Sequence, residues 1–204
     1  MLLCFLFSVN VQSHPHSWID LKTVVQGDEH QITGFNMSWT FDAMTSAYML
    51  DGEDLSKAHK EKALQDMADG IMENLYVEHY FTYFYEDGKP VKFTDGNGGR
   101  ITQDKLKLTL HFFLPLSKPK PINKIPLTLR VYESSYYVQM SWLKKEDVTL
   151  SPQLAKHCSK QLIEPQPTEE QSIYASSKPK EAAADNQLGG LFSQTVTINC
   201  SVEG

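Results

Sequence analysis

Residues 105–114, Lys-Leu-Lys-Leu-Thr-Leu-His-Phe-Phe-Leu, decide the fold class of this chain. Apolar side chains stand at every second position from Leu106 to Leu114, and polar side chains, the last of them His111, stand between them. A period of two places the apolar side chains on one face of a β-strand and the polar ones on the other. The stretch therefore predicts a strand that packs one face on a core and turns His111 toward solvent.

The same alternation recurs further along the chain, at 127–131 and at 196–198. Four more stretches are rich in aromatic and β-branched residues, which favour strands: they are residues 18–25, 31–40, 80–85 and 136–142. Glycine and asparagine adopt positive φ at low cost, so the stretches 86–90 and 95–99 predict turns between strands. Together these segments predict a mainly antiparallel, sandwich-like sheet.

Helical spacing occurs between the second and third predicted strands. We expect Ser56 to cap a helix there, and its apolar positions are Leu64, Met67, Ile71 and Leu75. These positions recur at the interval of one helical face. A shorter helix is expected over residues 43–50, with Asp42 as its cap. One helical insertion in a dominant sheet makes the predicted fold class α+β.

Length and composition indicate one folded domain with appendages. The chain has 204 residues, 41% hydrophobic and 22% charged, which is enough to bury a substantial core. Its 25 acidic residues outnumber 19 basic ones, so the formal net charge is -6. Because no run of Lys or Arg is long enough to follow a phosphate backbone, we do not expect nucleic acid as a partner.

The first thirteen residues, MLLCFLFSVNVQS, have the pattern of a secretory signal peptide. An apolar run passes into small and polar residues, although no Lys or Arg precedes it, and the run is too short to span a bilayer. Cleavage after Ser13 would make His14 the mature N-terminus. We therefore expect an exported protein that does not itself cross the membrane after processing.

Export changes the interpretation of the cysteines. Cys158 and Cys200 remain after processing, and disulfides persist outside the cytoplasm, so we expect a bridge between them; two separate buried thiols are the alternative. The predicted organisation is a main β-rich domain over 14–163, a flexible linker over 164–187 and a C-terminal strand over 188–204 that returns to the domain. Sparse apolar content and many Pro, Ser, Glu and Lys residues predict the linker.

The mature N-terminus, His14-Pro15-His16, concentrates the ligand chemistry of the sequence. Two imidazoles beside a new amine suit zinc, nickel, cobalt or copper, and not calcium or magnesium. Pro15 has no N–H to lose, which disfavours a square-planar clamp built from backbone amides, so other side chains would complete the ligand shell. The alternative is an unstructured leader without a ligand role.

Carboxylates could supply the further ligands. Asp42, at a strand-to-helix junction, is expected as a helix cap or as a ligand that points toward the N-terminus. Asp54 ends an acidic turn, 51–54, whose spacing does not match a calcium loop, and it could contribute one carboxylate. The other histidines are scattered singly and are expected to be ordinary surface or interface residues.

No nucleophile signature, zinc-protease motif, Cys-x-x-Cys pair or phosphate loop occurs in the sequence. Enzyme activity in this chain would therefore have to derive from a metal. We do not expect an enzyme.

Five segments carry a resemblance to a known family. They are His14 to Asp20, Trp39 to Asp42 with Ser46, Tyr80 to Tyr83 with Asp87-Gly88, Leu114-Pro115-Leu116, and Tyr132 to Tyr137. The chain resembles the exported bacterial family called domain of unknown function 1007, often labelled a periplasmic component of an ABC-type transport system. The resemblance implies a periplasmic protein of Gram-negative bacteria that is associated with permeases for nickel, cobalt or zinc. One departure is Glu133, where the resemblance implies an aspartate, and its longer side chain would alter any site that uses it.

These features together suggest a periplasmic transition-metal-binding protein that delivers or buffers zinc, or nickel or cobalt, for a membrane permease. His14 and His16 are the expected ligands and Asp42 is the best carboxylate, with Glu133 or Asp54 as further choices. A second class is a histidine-brace copper enzyme, in which His14 binds through its amine and its imidazole.

A third class is a non-metal adaptor with an aromatic contact surface. Its residues would be Tyr80, Tyr83, Tyr85, Tyr136 and Tyr137. Alternation along the strands turns some of these rings toward the core, so this class ranks last.

Overall fold

The structure is a computed structural model and describes residues 15–177 and 187–201. The predicted signal peptide, His14 and part of the predicted linker lie outside the described residues. Within these two ranges, no helix is long and apolar enough to cross a membrane.

Eleven strands and four helices form the described part of the chain. The strands are β1 (Ser17–Gly27), β2 (Gln31–Phe41), β3 (Thr82–Glu86), β4 (Lys89–Pro90), β5 (Asn97–Asp104), β6 (Lys107–Pro121), β7 (Leu127–Val131), β8 (Val138–Ser141), β9 (Val148–Leu150), β10 (Cys158–Ile163) and β11 (Thr195–Cys200). The helices are α1 (Ala43–Met49), α2 (Lys60–Val77), α3 (Glu169–Ser177) and α4 (Leu188–Phe192). This composition confirms the predicted α+β class with a dominant sheet.

The strands form two sheets. The first has the order β5-β6-β2-β1-β8, with β9 also paired to β1, and the second has the order β10-β11-β7-β3-β4. Pairing is antiparallel except where β1 runs parallel to β8 and to β9. Both β8 and β9 therefore pair with β1, the strand that begins next to the predicted metal ligands.

The core lies between the two sheets. Phe35 of β2 meets Phe84 of β3 edge to face, with ring centroids 5.0 Å apart, and both side chains are fully buried. Trp142 is also buried and donates its indole N–H to the hydroxyl of Thr23 at 3.1 Å. The apolar faces predicted from alternation supply this core, because every second side chain of β1, β2, β6 and β7 is buried.

The predicted strand pattern is wrong at Leu106. This side chain is 74% exposed, because residues 105 and 106 form the turn between β5 and β6. Lys105 adopts a positive φ of 52° there. The alternation therefore extends two residues beyond the strand that it predicts.

The predicted start of α2 is also wrong. The carbonyl of Ser56 accepts hydrogen bonds from the N–H groups of His59 and Lys60, so Ser56 begins a turn that precedes the helix. His59 is the residue at the cap position, and it makes no side-chain capping bond. The predicted apolar face is correct, since Leu64 and Leu75 are buried and the other two positions pack against the core.

The C-terminal part of the chain contains structure that the sequence pattern does not predict. Helix α3 lies within the stretch that we expect to be a linker, and α4 precedes β11. Strand β11 then inserts between β10 and β7. Gln194, immediately before β11, is held by two hydrogen bonds to the backbone of Trp142. Its side chain accepts the N–H of Trp142 at 2.8 Å and donates to the carbonyl of Trp142 at 3.0 Å.

A disulfide joins Cys158 and Cys200, as predicted. The two cysteines face each other directly in the register of β10 and β11. The bridge therefore ties the last described strand to its neighbour.

Candidate functional site

The predicted ligand His16 lies where β1 begins, at the edge of β8. Its backbone N–H donates to the carbonyl of Tyr137 at 2.9 Å, and the two rings lie 4.6 Å apart between centroids. The next residues continue in register, with Ser17 opposite Val138. His16 is therefore held by the sheet, whereas His14 lies outside the described residues.

Asp42 lies beside this strand and caps α1, as one of the two predicted roles requires. Its Oδ1 accepts the N–H groups of Met44 and Thr45 at 2.8 and 3.0 Å. Its Oδ2 accepts the N–H of Trp18 at 3.0 Å and the hydroxyl of Thr45 at 2.6 Å. A carboxylate with this many donors would have to give up a hydrogen bond to coordinate a metal.

The acidity of Asp42 reflects these donors. Burial acts to raise the pKa of the carboxyl, but the hydrogen bonds from Thr45, Trp18 and Met44 outweigh it and lower the pKa to about 2. Asp42 is therefore ionised at neutral pH and becomes protonated only in strong acid.

The start of β1, next to His16, meets the start of α1 at Asp42, and we call this place the corner around His16. Two hydroxyl groups help to hold it. Ser17 Oγ lies 2.7 Å from Thr45 Oγ1 and donates to Asp42 Oδ2 at 3.4 Å. Ser46 is completely buried, and its hydroxyl accepts the N–H of Leu108 at 3.0 Å and donates to the carbonyl of Phe41. The corner beside His16 is thus braced by helix α1 and by β6.

Glu133 organises its own loop on the other side of His16. Its Oε1 accepts the N–H of Ser135 at 2.7 Å, and its Oε2 accepts the hydroxyl of Ser135 and the N–H of Tyr137, each at 2.8 Å. Gly189 of α4 packs against this loop so closely that a Cβ there would lie 1.8 Å from the Glu133 carbonyl oxygen. Glu133 therefore positions Tyr137, whose carbonyl in turn holds His16.

Asp54 is placed elsewhere, in the loop between α1 and α2. It accepts the N–H of Ser56 at 2.9 Å and pairs with His59 Nδ1 at 2.8 Å, and both side chains of the pair are exposed. Hydrogen bonds from Ser56, with a smaller contribution from His59, lower the pKa of Asp54. The structure gives Asp54 a local partner and does not bring it to His16 by any of these contacts.

Across residues 15–177 and 187–201, no three His, Cys, Asp or Glu side chains form a group that could hold a metal ion. A site that includes His14 would extend beyond those residues. The described part of the predicted site is therefore His16, with Asp42 and Glu133 supporting the backbone on either side of it.

The sequence pattern misses a polar network centred on His111. Its Nδ1 lies 3.0 Å from Ser38 Oγ on β2, and its Nε2 lies 2.8 Å from Thr102 Oγ1 on β5. Desolvation, assisted by the charge of Arg100, lowers the pKa of His111. Alternation correctly indicates the polar face of β6, but only the register of three strands shows which hydroxyls meet the imidazole.

A left-handed turn at the end of α2 also has no signature in the sequence. His79, Tyr80 and Phe81 adopt φ values of 50°, 55° and 46°, a conformation that side chains other than glycine rarely adopt. The turn buries Tyr80, whose hydroxyl accepts the N–H of Gly96 at 2.7 Å. The predicted strand 80–85 therefore begins later, at Thr82.

The fold and these contacts define a two-sheet α+β protein with one disulfide between neighbouring strands and with a histidine, His16, immediately before its first strand. The chain belongs to the family described as protein of unknown function (DUF1007), whose family model matches residues 1–200. The resemblance stated from the sequence motifs is confirmed.

A relative in Haemophilus influenzae (strain ATCC 51907 / DSM 11121 / KW20 / Rd), described as an uncharacterized protein, is 35% identical over 204 residues. The match covers 98% of this chain and 97% of the relative. No solved structure matches the chain significantly.

Proposed function

We propose that this protein is an exported transition-metal-binding protein, with zinc as the first choice and nickel or cobalt next. In the periplasm, it would buffer the metal or deliver it to a membrane permease. The metal would bind at the mature N-terminus, through the imidazoles of His14 and His16.

The observation that carries the proposal is the anchoring of His16. Its backbone is held in place by a hydrogen bond from its N–H to the carbonyl of Tyr137 and by the pairing of β1 with β8. Holding one donor in advance reduces the entropy that is lost when a metal binds. An imidazole on an unstructured leader would not have this advantage.

The carboxylates have a supporting role in this proposal. Asp42 holds the start of α1 to Trp18, and Glu133 holds the loop that contains Tyr137. With two imidazoles as protein ligands, further positions around a zinc ion stay open to water, to the terminal amine or to an incoming ligand. Open positions suit a carrier, because the ligands of an acceptor can enter before the metal leaves.

Calorimetry of residues 14–204 with zinc, nickel, cobalt and copper tests this function. We expect saturable binding of zinc at a ratio of about one per chain, weaker as pH falls through about 6.5, because only neutral imidazole binds a metal. Titrations that give no saturable heat with any of the four metals would overturn the proposal.

A copper enzyme is the second candidate, and the proximity of Tyr137 to His16 favours it. A histidine brace would place a tyrosine near the metal, and the two rings lie 4.6 Å apart. In that case the free amine of His14 would be a ligand. A variant with one alanine added before His14 separates the two candidates, since a carrier that uses side chains retains its zinc affinity. Loss of copper binding in that variant, together with oxygen consumption by the unextended protein with copper and a reductant, would favour the enzyme.

A further inference from the structure

An apolar cleft opens where the chain leaves one sheet for the other. The N–H of Val91 donates to the carbonyl of Phe84 on β3 at 2.8 Å, which keeps the chain beside the second sheet. Two residues later, Phe93 pairs with Leu116 of β6, and the N–H of Thr94 donates to the carbonyl of Pro115 at 3.0 Å. The chain therefore diverges from β3, and a gap remains between them.

We call this gap the sheet-edge cleft. Its volume is about 620 Å³, and the end of α2, at Tyr76 and Val77, also lines it. Cavities that bind small organic molecules have volumes of about 300–1,000 Å³ and mainly apolar linings. The sheet-edge cleft falls within that range.

Phe and Tyr make up six of the fourteen residues that line the cleft. Phe84 and Phe93 form its inner part, and their rings lie 5.0 and 6.0 Å from the ring of Phe35 in the core. Val77 is 72% exposed, so an apolar wall of the cleft faces water. An occupant that covered this wall would remove apolar surface from water, which is favourable in proportion to the area covered.

The rim of the cleft carries an ammonium group. Lys92 lines the cleft and is exposed, and within the described part of the chain no carboxylate lies within 4.0 Å of it in an ion pair. His79 and Thr94 are further polar side chains on the exposed rim. Asp95 also lines the cleft, at the end that adjoins a second cavity beside Gly96, and it forms no ion pair with Lys92.

We propose that the sheet-edge cleft binds a single-chain amphiphile, whose apolar tail lies against Phe93 and Val77 and whose carboxylate pairs with Lys92. Charge complementarity favours this class over a neutral apolar ligand, because Lys92 gains a partner. The apolar lining favours it over a small polar anion, which would leave the aromatic wall uncovered. This binding is independent of the metal site, since none of the cleft residues belongs to the corner around His16.

The left-handed turn prepares the cleft for this ligand. It buries Tyr80, which lines the cleft, and leaves His79 exposed beside it. The hydroxyl of Thr82 donates to the carbonyl of Tyr80 at 2.7 Å and fixes the turn. A cleft held open in this way loses little conformational entropy when it is filled.

Calorimetry of the mature protein with dodecanoate, below its critical micelle concentration, tests the proposal. We expect saturable binding of about one dodecanoate per chain and a dissociation constant about fivefold lower than that of dodecanol, because the exposed Lys92 pairs only with the carboxylate. Val77→Asp should weaken binding at least about tenfold, and Lys92→Ala about fivefold.

Two matched variants serve as controls. Leu143 is 70% exposed, close to the value for Val77, and lies outside the cleft, so Leu143→Asp should leave dodecanoate affinity within about twofold. Lys89→Ala removes a nearby charge that does not line the cleft and should have the same small effect. No saturable binding by the mature protein, or equal weakening by Val77→Asp and Leu143→Asp, would overturn the site. Equal affinity for dodecanoate and dodecanol would overturn the carboxylate assignment.

Discussion

Asp42 shows how one side chain can connect a strand and a helix. Replacement of an aspartate cap by alanine costs about 1–2 kcal/mol, and here Trp18 and Thr45 also lose their acceptor. We therefore expect Asp42→Ala to lower the free energy of unfolding at pH 7 by about 2 kcal/mol in urea titrations. Asp51→Ala, which removes an exposed carboxylate at the other end of α1, should change it by less than about 0.5 kcal/mol.

The same effect should depend on pH in a known direction. The pKa of Asp42 is about 2 in the folded protein, below its ordinary value of 3.8. Its ionised form therefore stabilises the fold above the ordinary value, and this contribution is lost as pH falls through the folded value. The stability difference between the native protein and Asp42→Ala should thus shrink when unfolding is repeated near pH 2.5. An equal difference at both pH values would contradict this role.

For a single residue, the sequence predicts the role of the side chain more reliably than it predicts its hydrogen-bond partners. Asp42 follows a strand and precedes a helical pattern, which is sufficient to predict a cap. The partners of Glu133 lie within its own loop, at Ser135 and Tyr137, but no regular pattern in the sequence marks that loop. Ser56 fits a cap position equally well by sequence, but a turn follows it, and the helix begins only at Lys60.

Among the elements, the turn between α2 and β3 is the least expected. Glycine adopts its backbone conformation freely, whereas a β-branched residue is strongly disfavoured at positive φ. His79 is exposed, so its replacement removes no core contact. We predict that His79→Gly is more stable than His79→Val by about 1 kcal/mol or more in thermal or urea unfolding. The control is His157, whose backbone is not left-handed. There the glycine variant should be no more stable than the valine variant. A glycine variant that is more stable than the valine variant at both sites would contradict backbone strain at His79.

The disulfide offers a second test among the elements. Its cysteines are 42 residues apart, and a bridge that closes a loop of this size stabilises a protein by about 2–4 kcal/mol. The double variant Cys158→Ala, Cys200→Ala should lose about this much stability. Since β10 and β11 keep their other pairings, the variant should retain its circular dichroism spectrum. Unchanged stability after removal of the bridge would show that it adds nothing to the hydrogen-bonded pairing.

Most elements could be predicted because their periodicity is strong. The strands at 18–25, 31–40 and 106–114 and the apolar face of α2 all have clear patterns, and the structure places them within a few residues. Helix α3 could not be predicted, because its sequence has almost no amphipathic pattern and only Ala175 is buried. The left-handed turn follows from tertiary packing of Tyr80 and not from local preference.

For the whole molecule, the first prediction concerns processing. If the predicted cleavage follows Ser13, the processed protein should have the mass of residues 14–204 less two hydrogens, because Cys158 is bonded to Cys200. Intact-mass measurement before and after reduction determines both. A mature chain that begins after His16 would remove both imidazoles and rule out the N-terminal metal site.

The arrangement of the two sheets was the part least accessible to sequence reasoning. Alternation predicts which face of each strand is buried, but it does not order the strands or show that β8 and β9 run parallel to β1. The sheet-edge cleft arises where the chain passes from one sheet to the other, so no local pattern marks it. The position of His16 beside Tyr137 has the same origin.

The most direct test of the central claim is the zinc affinity of the mature protein with and without its two N-terminal imidazoles. We predict that the double variant His14→Ala, His16→Ala binds zinc at least about tenfold more weakly, a loss of about 1.4 kcal/mol. The matched double variant His30→Ala, His157→Ala, which removes two imidazoles elsewhere, should bind zinc as the native protein does. Unchanged zinc affinity in the first variant, or an equal loss in both, would contradict a metal site at the start of β1.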